Sequence, residues 1–404
     1  MSQAQHIVRL AARGDGITGD GRYVPGATIG DEVIFAGDVP QVRPGPRHMA
    51  AVCRHVPACG GCQMQHVADS DYMAFVVDRL THVLGPLMPA DVAPVALSPP
   101  RSRRRASLRA VRRGGQLRLG FNSEASHQII DLQQCEVMRP DLFALIAPLR
   151  QLLKSALADG QGAGITLTAS ETGIDALLAN VQAERLDEIE RLTDFALAHD
   201  LARLSVDGAD GVQIIMEARA PSLTMGGVRV DLPPAPFLQP TVEGETALVT
   251  AVLEALGEAA HVADLFCGLG TFALPISRRA RVLAVDAAGP AVAALATAAR
   301  AAGRQVTPLH RDLFRRPLTG PELAPLDALV FDPPRAGAEA QCRELAKARV
   351  PVVVAVSCNP STFGRDARLL AGGGYMIEKI WPVAQFRWSS HVELVARFVH
   401  RGEA

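Results

Sequence analysis

Five polar or reactive residues close five successive apolar runs in the last third of the sequence: Asp264, Asp286, Asp312, Asp332 and Cys358. Alternating apolar strand-like and helical stretches over this region describe a doubly wound parallel sheet. Ligands of such sheets sit beyond the carboxyl ends of the strands. One acid at a strand end is commonplace, whereas five such residues in succession mark a site. Cys358 follows the run VVVAVS and precedes Asn359-Pro360. Buried cysteines are ordinarily inert packing, the reading that suits Cys342. A cysteine at a central strand end beside a ligand site is a candidate nucleophile.

The first turn reads Asp264-Leu-Phe266-Cys-Gly268-Leu-Gly270-Thr271. Two glycines bring the backbone close to a ligand before a helix begins, but the spacing is not GxGxxG, which disfavours a dinucleotide. Asp286 is placed to accept hydrogen bonds from ribose hydroxyls. Asp332-Pro-Pro-Arg335 is a stiffened turn that can hold a carboxylate against a planar substrate. Turns of this kind also serve enzymes that methylate base amino groups. A thiolate changes that assignment. Carbon-5 of uracil is a poor nucleophile until a thiolate adds to carbon-6 and creates an enolate, which can attack a methyl sulfonium. The carbon-5 proton must then leave, and Glu393, in His391-Val-Glu393, is the candidate base; the plainer reading of Glu393 is a surface carboxylate.

The remaining cysteines divide differently. Cys53, Cys59 and Cys62 cluster around Gly60-Gly61, and Cys135 stands apart. Four thiolates can ligate zinc or an iron–sulfur cluster, and the spacing does not choose between them. His55 and His66 read as local histidines ahead of zinc ligands. An odd set of seven cysteines without a secretory leader-like stretch over Met1 to Gly16 points to a reducing, cytoplasmic setting. Net charge is −1, yet residues 101–118 carry eight arginines and no acid, and the chain has only three lysines, Lys154, Lys347 and Lys379. Arginine forks onto phosphate and stacks on bases; a solvated basic face is the competing reading. No apolar run approaches membrane-span length.

Three segments would position these residues. Residues 1–47, with short β-type runs broken by Gly-Asp and Pro-Gly, read as a small β-barrel or sheet. Residues 48–235 carry the cysteines, a helix near 69–85, a Pro-rich linker at 86–100 and an α+β body with strands ASLRAV, LRLGF, QIIDL, GITLTAS and DALLANV and helices near 141–158 and 183–200. Residues 236–404 hold the doubly wound sheet, ending in two strand-like runs that suggest an edge hairpin.

Together the motifs CxxxxxCGGCxxQH at 53–66, Cys135 after IIDLQQ, Phe237-Leu-Gln239-Pro, DLFCGLGT, FDPPRAG, SCNP and HVE are specific. The chain resembles the RNA uracil-5 methyltransferases, most closely the iron–sulfur branch acting on 23S rRNA, over nearly its whole length. The resemblance implies a Rossmann-like seven-stranded S-adenosylmethionine-dependent domain, an α+β central domain and a short TRAM-like barrel. It implies a [4Fe-4S] cluster on Cys53, Cys59, Cys62 and Cys135. It implies cofactor contacts from Gln239, Phe266, Thr271, Asp286, Asp312 and Asp332, with Cys358 as nucleophile and Glu393 as base. It also implies an RNA partner, 23S rRNA ahead of tRNA, and a monomer; an RNA-binding iron–sulfur protein without activity is the reading from another class. The chain departs from the family at Phe386-Arg387-Trp388-Ser389-Ser390, where a proline usually follows the phenylalanine. Arg387 and Trp388 are thereby candidates for RNA contact, with packing under the site the alternative for Trp388.

Overall fold

The computed structural model describes residues 4–35, 39–124 and 126–401. The second half builds the sheet that carries the strand-end residues. Its strands are β1 (His261–Leu265), β2 (Arg281–Asp286), β3 (Val306–His310), β4 (Ala328–Phe331), β5 (Val352–Ser357), β6 (Tyr375–Ala384) and β7 (Glu393–His400). They lie in the order β3-β2-β1-β4-β5-β7-β6. β1 to β5 are parallel, and β7 runs antiparallel between β5 and β6. Every residue of β4 is buried, as expected of a central parallel strand covered on both faces.

The sheet is wider than the seven strands expected. Asp91–Val92 and Ala96–Leu97 add to β6 in parallel, making nine strands. They come from the stretch read as a linker. Two-residue strands show no periodicity in sequence, and the three prolines between Pro86 and Pro94 obscured them. Helix α1 (Asp69–Leu84) joins them on this sheet. Its buried residues Tyr72, Phe75, Val76, Leu80 and Leu84 form one apolar stripe and share a core with Phe331, Val353, Phe363 and Phe398. Gly85, at φ 54, ends the helix. Helix α2 (Val242–Leu256) covers the opposite face through Leu248, Val252 and Leu256. Its N-cap Thr241 accepts from the Gly244 amide at 3.0 Å. Helix α3 (Pro360–Gly372) starts on the Asn359 cap with proline at its first position.

The central segment is a six-stranded sheet ordered Gly211–Glu217, Arg203–Gly208, Gly173–Ala179, Gly162–Ser170, Arg105–Arg113, Gln116–Gly120. Helices Ile146–Ala156 and Leu186–Ala198 close its core. QIIDL is not a strand here. It makes one isolated antiparallel bridge, Ile129 with Asn122, through bonds from the amides of Ile130 to Phe121 and Ser123 to Gln128, and a further bond from Leu132 to Leu119. Gly120 lets it pass, since a Cβ there would lie 2.1 Å from the Ile130 carbonyl. A buried ion pair ties the sheet together. Arg203 donates to both oxygens of Asp175 at 2.9 Å and to the Leu232 carbonyl. Removing one member leaves an uncompensated buried charge, so Arg203→Met is expected to cost about 3–5 kcal/mol, read as a lower urea midpoint.

The N-terminal strands Tyr23–Val24, Gly16–Thr18, Gln5–Leu10, Glu32–Ile34 and Gln41–Arg43 pair in that order. Among the described residues this is an open antiparallel sheet, the second of the two forms, barrel or sheet, that the short runs allowed. Its core is small, built on Ile7, Val24, Ala27 and Val33, and the strands are too short for their number to reveal closure from sequence.

Candidate active site

The glycine turn after β1 is shaped for a ligand. Phe266, Gly268 and Gly270 all have positive φ. A Cβ on Gly270 would lie 2.5 Å from Leu295, so the turn depends on glycine there. Asp286 holds this turn through one oxygen, accepting from the Gly268 amide at 2.9 Å, while the other caps Ala288 at 2.7 Å. Asp312 accepts from the Phe314 and Arg315 amides. The half-exposed Phe314 ring stands 5.5 Å from that of Phe266, making an aromatic slot at the ends of β1 to β3. Thr271 sits in the turn, half-buried. Asp264, which sequence reading placed at a strand end without a role, is completely buried beneath the turn. Neither of its oxygens has a hydrogen-bond partner in its side-chain surroundings. Burial first, and then Asp332 and Asp286, push its carboxyl well above the usual range.

A second group lies across β4, β5 and β7. Cys358 is half-buried just beyond β5. Burial, with Glu393 and Asp332 adding to it, pushes its thiol up to about 11, and Arg335 opposes them. Glu393 opens β7 and is 6% exposed, with one oxygen unpartnered, so it is no surface carboxylate. Burial, then Asp332, pushes it well above the ordinary carboxylate range. Asp332 is raised to about 7 by burial against the lowering bond from Gln239. Gln239 reaches it from the segment before α2, its amide nitrogen donating at 3.1 Å. Arg335 stands over the group and contacts His391 Nε2 at 3.0 Å. The sequence-selected residues therefore fall into two adjoining sets. Phe266, Thr271, Asp286 and Asp312 surround the glycine turn, and Gln239, Asp332, Cys358 and Glu393 form a desolvated acidic and nucleophilic cluster.

Three supporting roles were invisible in sequence. Arg104 belongs to the arginine run but is 3% exposed. It donates to the Gln239 carbonyl at 3.0 Å and ion-pairs with Glu245, so it anchors the loop that presents Gln239. Gln385 donates to Gln239 Oε1 at 2.7 Å. Arg387 was read as an RNA contact. Its guanidinium instead pairs with Asp69 at the start of α1 and donates to the Ser98 carbonyl at 3.2 Å. Trp388 is 8% exposed at φ 60 and packs beside Arg387. With Tyr72 donating to the Ser389 carbonyl at 2.8 Å, these contacts brace the turn that leads into Glu393.

The cysteines of the first half lie elsewhere. Cys53, Cys59, Cys62 and Cys135 are free; burial first, and then neighbouring cysteines including Cys53, push up the thiols of Cys59, Cys62 and Cys135. Among the described residues, no three His, Cys, Asp or Glu side chains converge on a position for a single metal ion. His66 contacts the Ala27 carbonyl and His55 accepts from the Gln133 amide, so both histidines are satisfied locally. Arg103 lies beside Cys62 and Cys135, and its Nε has no partner.

A Rossmann-like sheet in the order 3-2-1-4-5-7-6, with a glycine turn after its first strand, defines a mixed α/β methyltransferase fold. The relatives carry this further. An RNA methyltransferase of Zymomonas mobilis is 43% identical over 97% of this chain and 98% of its own. The 23S rRNA uracil-1939 C5-methyltransferase of Alteromonas naphthalenivorans is 31% identical over 96% of this chain and 86% of its own. The tRNA uracil-54 C5-methyltransferase of Pyrococcus abyssi, solved with S-adenosylhomocysteine, shares the fold at a TM-score of 0.78 and 21% identity, covering 98% of this chain and 100% of that one. No protein-family model matches the sequence. The chain belongs to the RNA uracil-5 methyltransferase family and is an RNA methyltransferase. No helix among the described residues is long and apolar enough to cross a membrane.

Proposed function

We propose that the protein methylates carbon-5 of a uridine in RNA, 23S rRNA ahead of tRNA, with Cys358 as nucleophile and Glu393 as base. The observation that carries this is the placing of half-buried Cys358 within the field of the buried Glu393 and Asp332, with Glu393 in turn facing Asp332. S-adenosylmethionine supplies the electrophilic methyl group. The Cys358 thiolate bonds to carbon-6 and the resulting enolate takes the methyl group at carbon-5. Glu393 then removes the carbon-5 proton, and the returning electron pair expels the thiolate and restores the ring double bond. A base so enclosed must leave its stack to reach Cys358. Phe266, Thr271, Asp286 and Asp312 would line the cosubstrate site, with Gln239 and Asp332 at its border with the base. The preference for 23S rRNA rests on the Alteromonas relative and on the cysteine segment. Mass mapping of 5-methyluridine in 23S rRNA and tRNA from cells lacking the protein tests it: one uridine of 23S rRNA should lose its methyl group.

We propose that Cys53, Cys59, Cys62 and Cys135 hold a [4Fe-4S] cluster, a reading that rests on the motif resemblance. Burial of Cys59, Cys62 and Cys135 beside one another and the buried Arg103 Nε, without a partner next to Cys62 and Cys135, suit an anionic group. Bound there, the group would tie residues 53–62 to residue 135. A colourless, zinc-containing protein purified without oxygen would refute this.

The arginine run supplies the RNA-facing charge in part. Strand alternation puts Arg105, Arg109 and Arg113 on one face, with Arg118 opposite Val111 on the same side, while Arg101, Arg104 and Arg112 are held by Glu136, Glu245 and the Leu157 carbonyl. Replacing Arg105, Arg109 and Arg118 by alanine should weaken RNA binding and flatten log Kd against log salt by roughly 0.7–0.9 per lost phosphate contact. Filter binding at several salt concentrations reads both.

A further inference from the structure

Gln385 is 3% exposed at the end of β6, outside every motif the family resemblance uses. Its amide nitrogen donates to Gln239 Oε1 at 2.7 Å, and the Gln239 nitrogen donates to Asp332 Oδ2 at 3.1 Å. The two amides and the carboxylate form a directional chain. A carboxylate only accepts, so it selects the nitrogen side of Gln239; the carbonyl of Gln239 then faces Gln385, which must answer with its own nitrogen. The reverse polarity would set two acceptors against each other at Asp332. Gln385 is kept at a cost, because its own carbonyl oxygen is buried without a partner, and such groups are rare unless they serve a purpose. Room for it comes from Gly244 on α2, where a Cβ would lie 2.5 Å from the Gln385 side chain. A methionine would fill the same space with no orphaned carbonyl, so the amide N–H is the part that matters.

We propose that Gln385 is a positioning residue for methyl transfer, fixing the direction of the Gln239 amide so that its N–H group faces Asp332 and the reaction centre. The inference rests on the methyltransferase reading of this site. It has two consequences. The bond from Gln239 favours the Asp332 carboxylate against burial, which raises it to about 7; Asp264, Cys358 and Glu393 share its field from β1, β5 and β7, with Arg335 facing the latter two. The pair also presents one donor and one acceptor side by side. That pattern complements the carbonyl-4 and N3–H of a uracil and opposes the amino-4 and N3 of a cytosine.

The test uses the full-length protein and the variants Gln385→Met and Gln385→Glu. An ionised glutamate can only accept, so above its own titration it should draw the Gln239 nitrogen away from Asp332. The Asp332 titration, followed by carboxyl carbon-13 NMR in the absence of RNA and assigned with Asp332→Asn, is expected to move up by at least about one pH unit in Gln385→Glu and by less in Gln385→Met. The acid limb of kcat/KM should follow, with kcat reduced and RNA affinity by filter binding unchanged. An Asp332 titration that stays in place in both variants overturns the proposal. If the glutamate variant fails to fold, the near-isosteric methionine variant decides through a double-mutant cycle with Gln239→Leu: non-additive losses in kcat/KM support the proposal and additive ones overturn it. Absence of 5-methyluridine product from the unaltered protein would instead sink the reading of the reaction, while the RNA-free titration would still report on Gln385.

Discussion

Cys358→Ala is expected to lower methyl transfer by at least about 10³-fold, because no neighbouring group can replace the carbon–sulfur bond that activates carbon-5. Retained turnover in a folded Cys358→Ala protein would assign the site to amino-group methylation. The unaltered protein on RNA containing 5-fluorouridine should give a covalent adduct at Cys358, since fluorine at carbon-5 cannot leave as a proton; peptide mass mapping locates it. The thiol's environment adds a pH signature. With its pKa pushed to about 11, only about one thiol in a thousand is ionised at pH 8 in the free protein. Iodoacetamide should therefore modify Cys358 slowly at pH 8 and faster as pH rises toward 11. Charge that favours the thiolate must arrive with the ligands, and the sulfonium of the cosubstrate carries the right sign.

Glu393→Gln is expected to slow turnover by about 10²–10⁴-fold and to change what accumulates. The amide keeps the volume of the side chain but cannot take the carbon-5 proton. Addition and methylation proceed, elimination stalls, and a protein–RNA adduct carrying the transferred methyl group should build up with ordinary uridine RNA. A denaturing gel with methyl-labelled cosubstrate shows it as a slow band that Cys358→Ala abolishes. A Glu393→Gln protein that releases product at the normal rate would place the base elsewhere. Glu393 is held well above the usual carboxylate range by burial and by Asp332. Proton abstraction needs the carboxylate, so activity should rise with pH through that raised value.

The doubly wound sheet was legible because its strands are continuous apolar runs ending in Asp286, Asp332 and Cys358, a pattern that burial on both faces imposes. The same regularity placed Glu393 at the start of the last strand. The supports were not legible. Gln385 and Arg104 act through single hydrogen bonds to Gln239, across 146 and 135 residues of sequence, and neither amides nor arginines carry a periodic signal. Arg387 misled because its partner, Asp69, lies 318 positions away; nothing local marks an arginine as a strut and not a phosphate ligand. QIIDL looked like a strand on composition, but the open carbonyls of Phe121 and Leu119 engage it only intermittently.

Ser98 and Thr241 share a hydrogen bond of 2.7 Å. The chain leaves the methyltransferase sheet at the first and enters α2 just after the second, so the ends of the central segment meet there, although its last hairpin, over 222–231, already packs on the methyltransferase core. The ribosome must release α1 and the strand pieces at 91–97 long before β6, their seat, exists. These elements wait exposed until the last strands emerge. The six-stranded body between Ser98 and Thr241 has its own core and can mature meanwhile. A body whose ends meet over the same few ångströms interrupts the chain without redrawing the methyltransferase sheet.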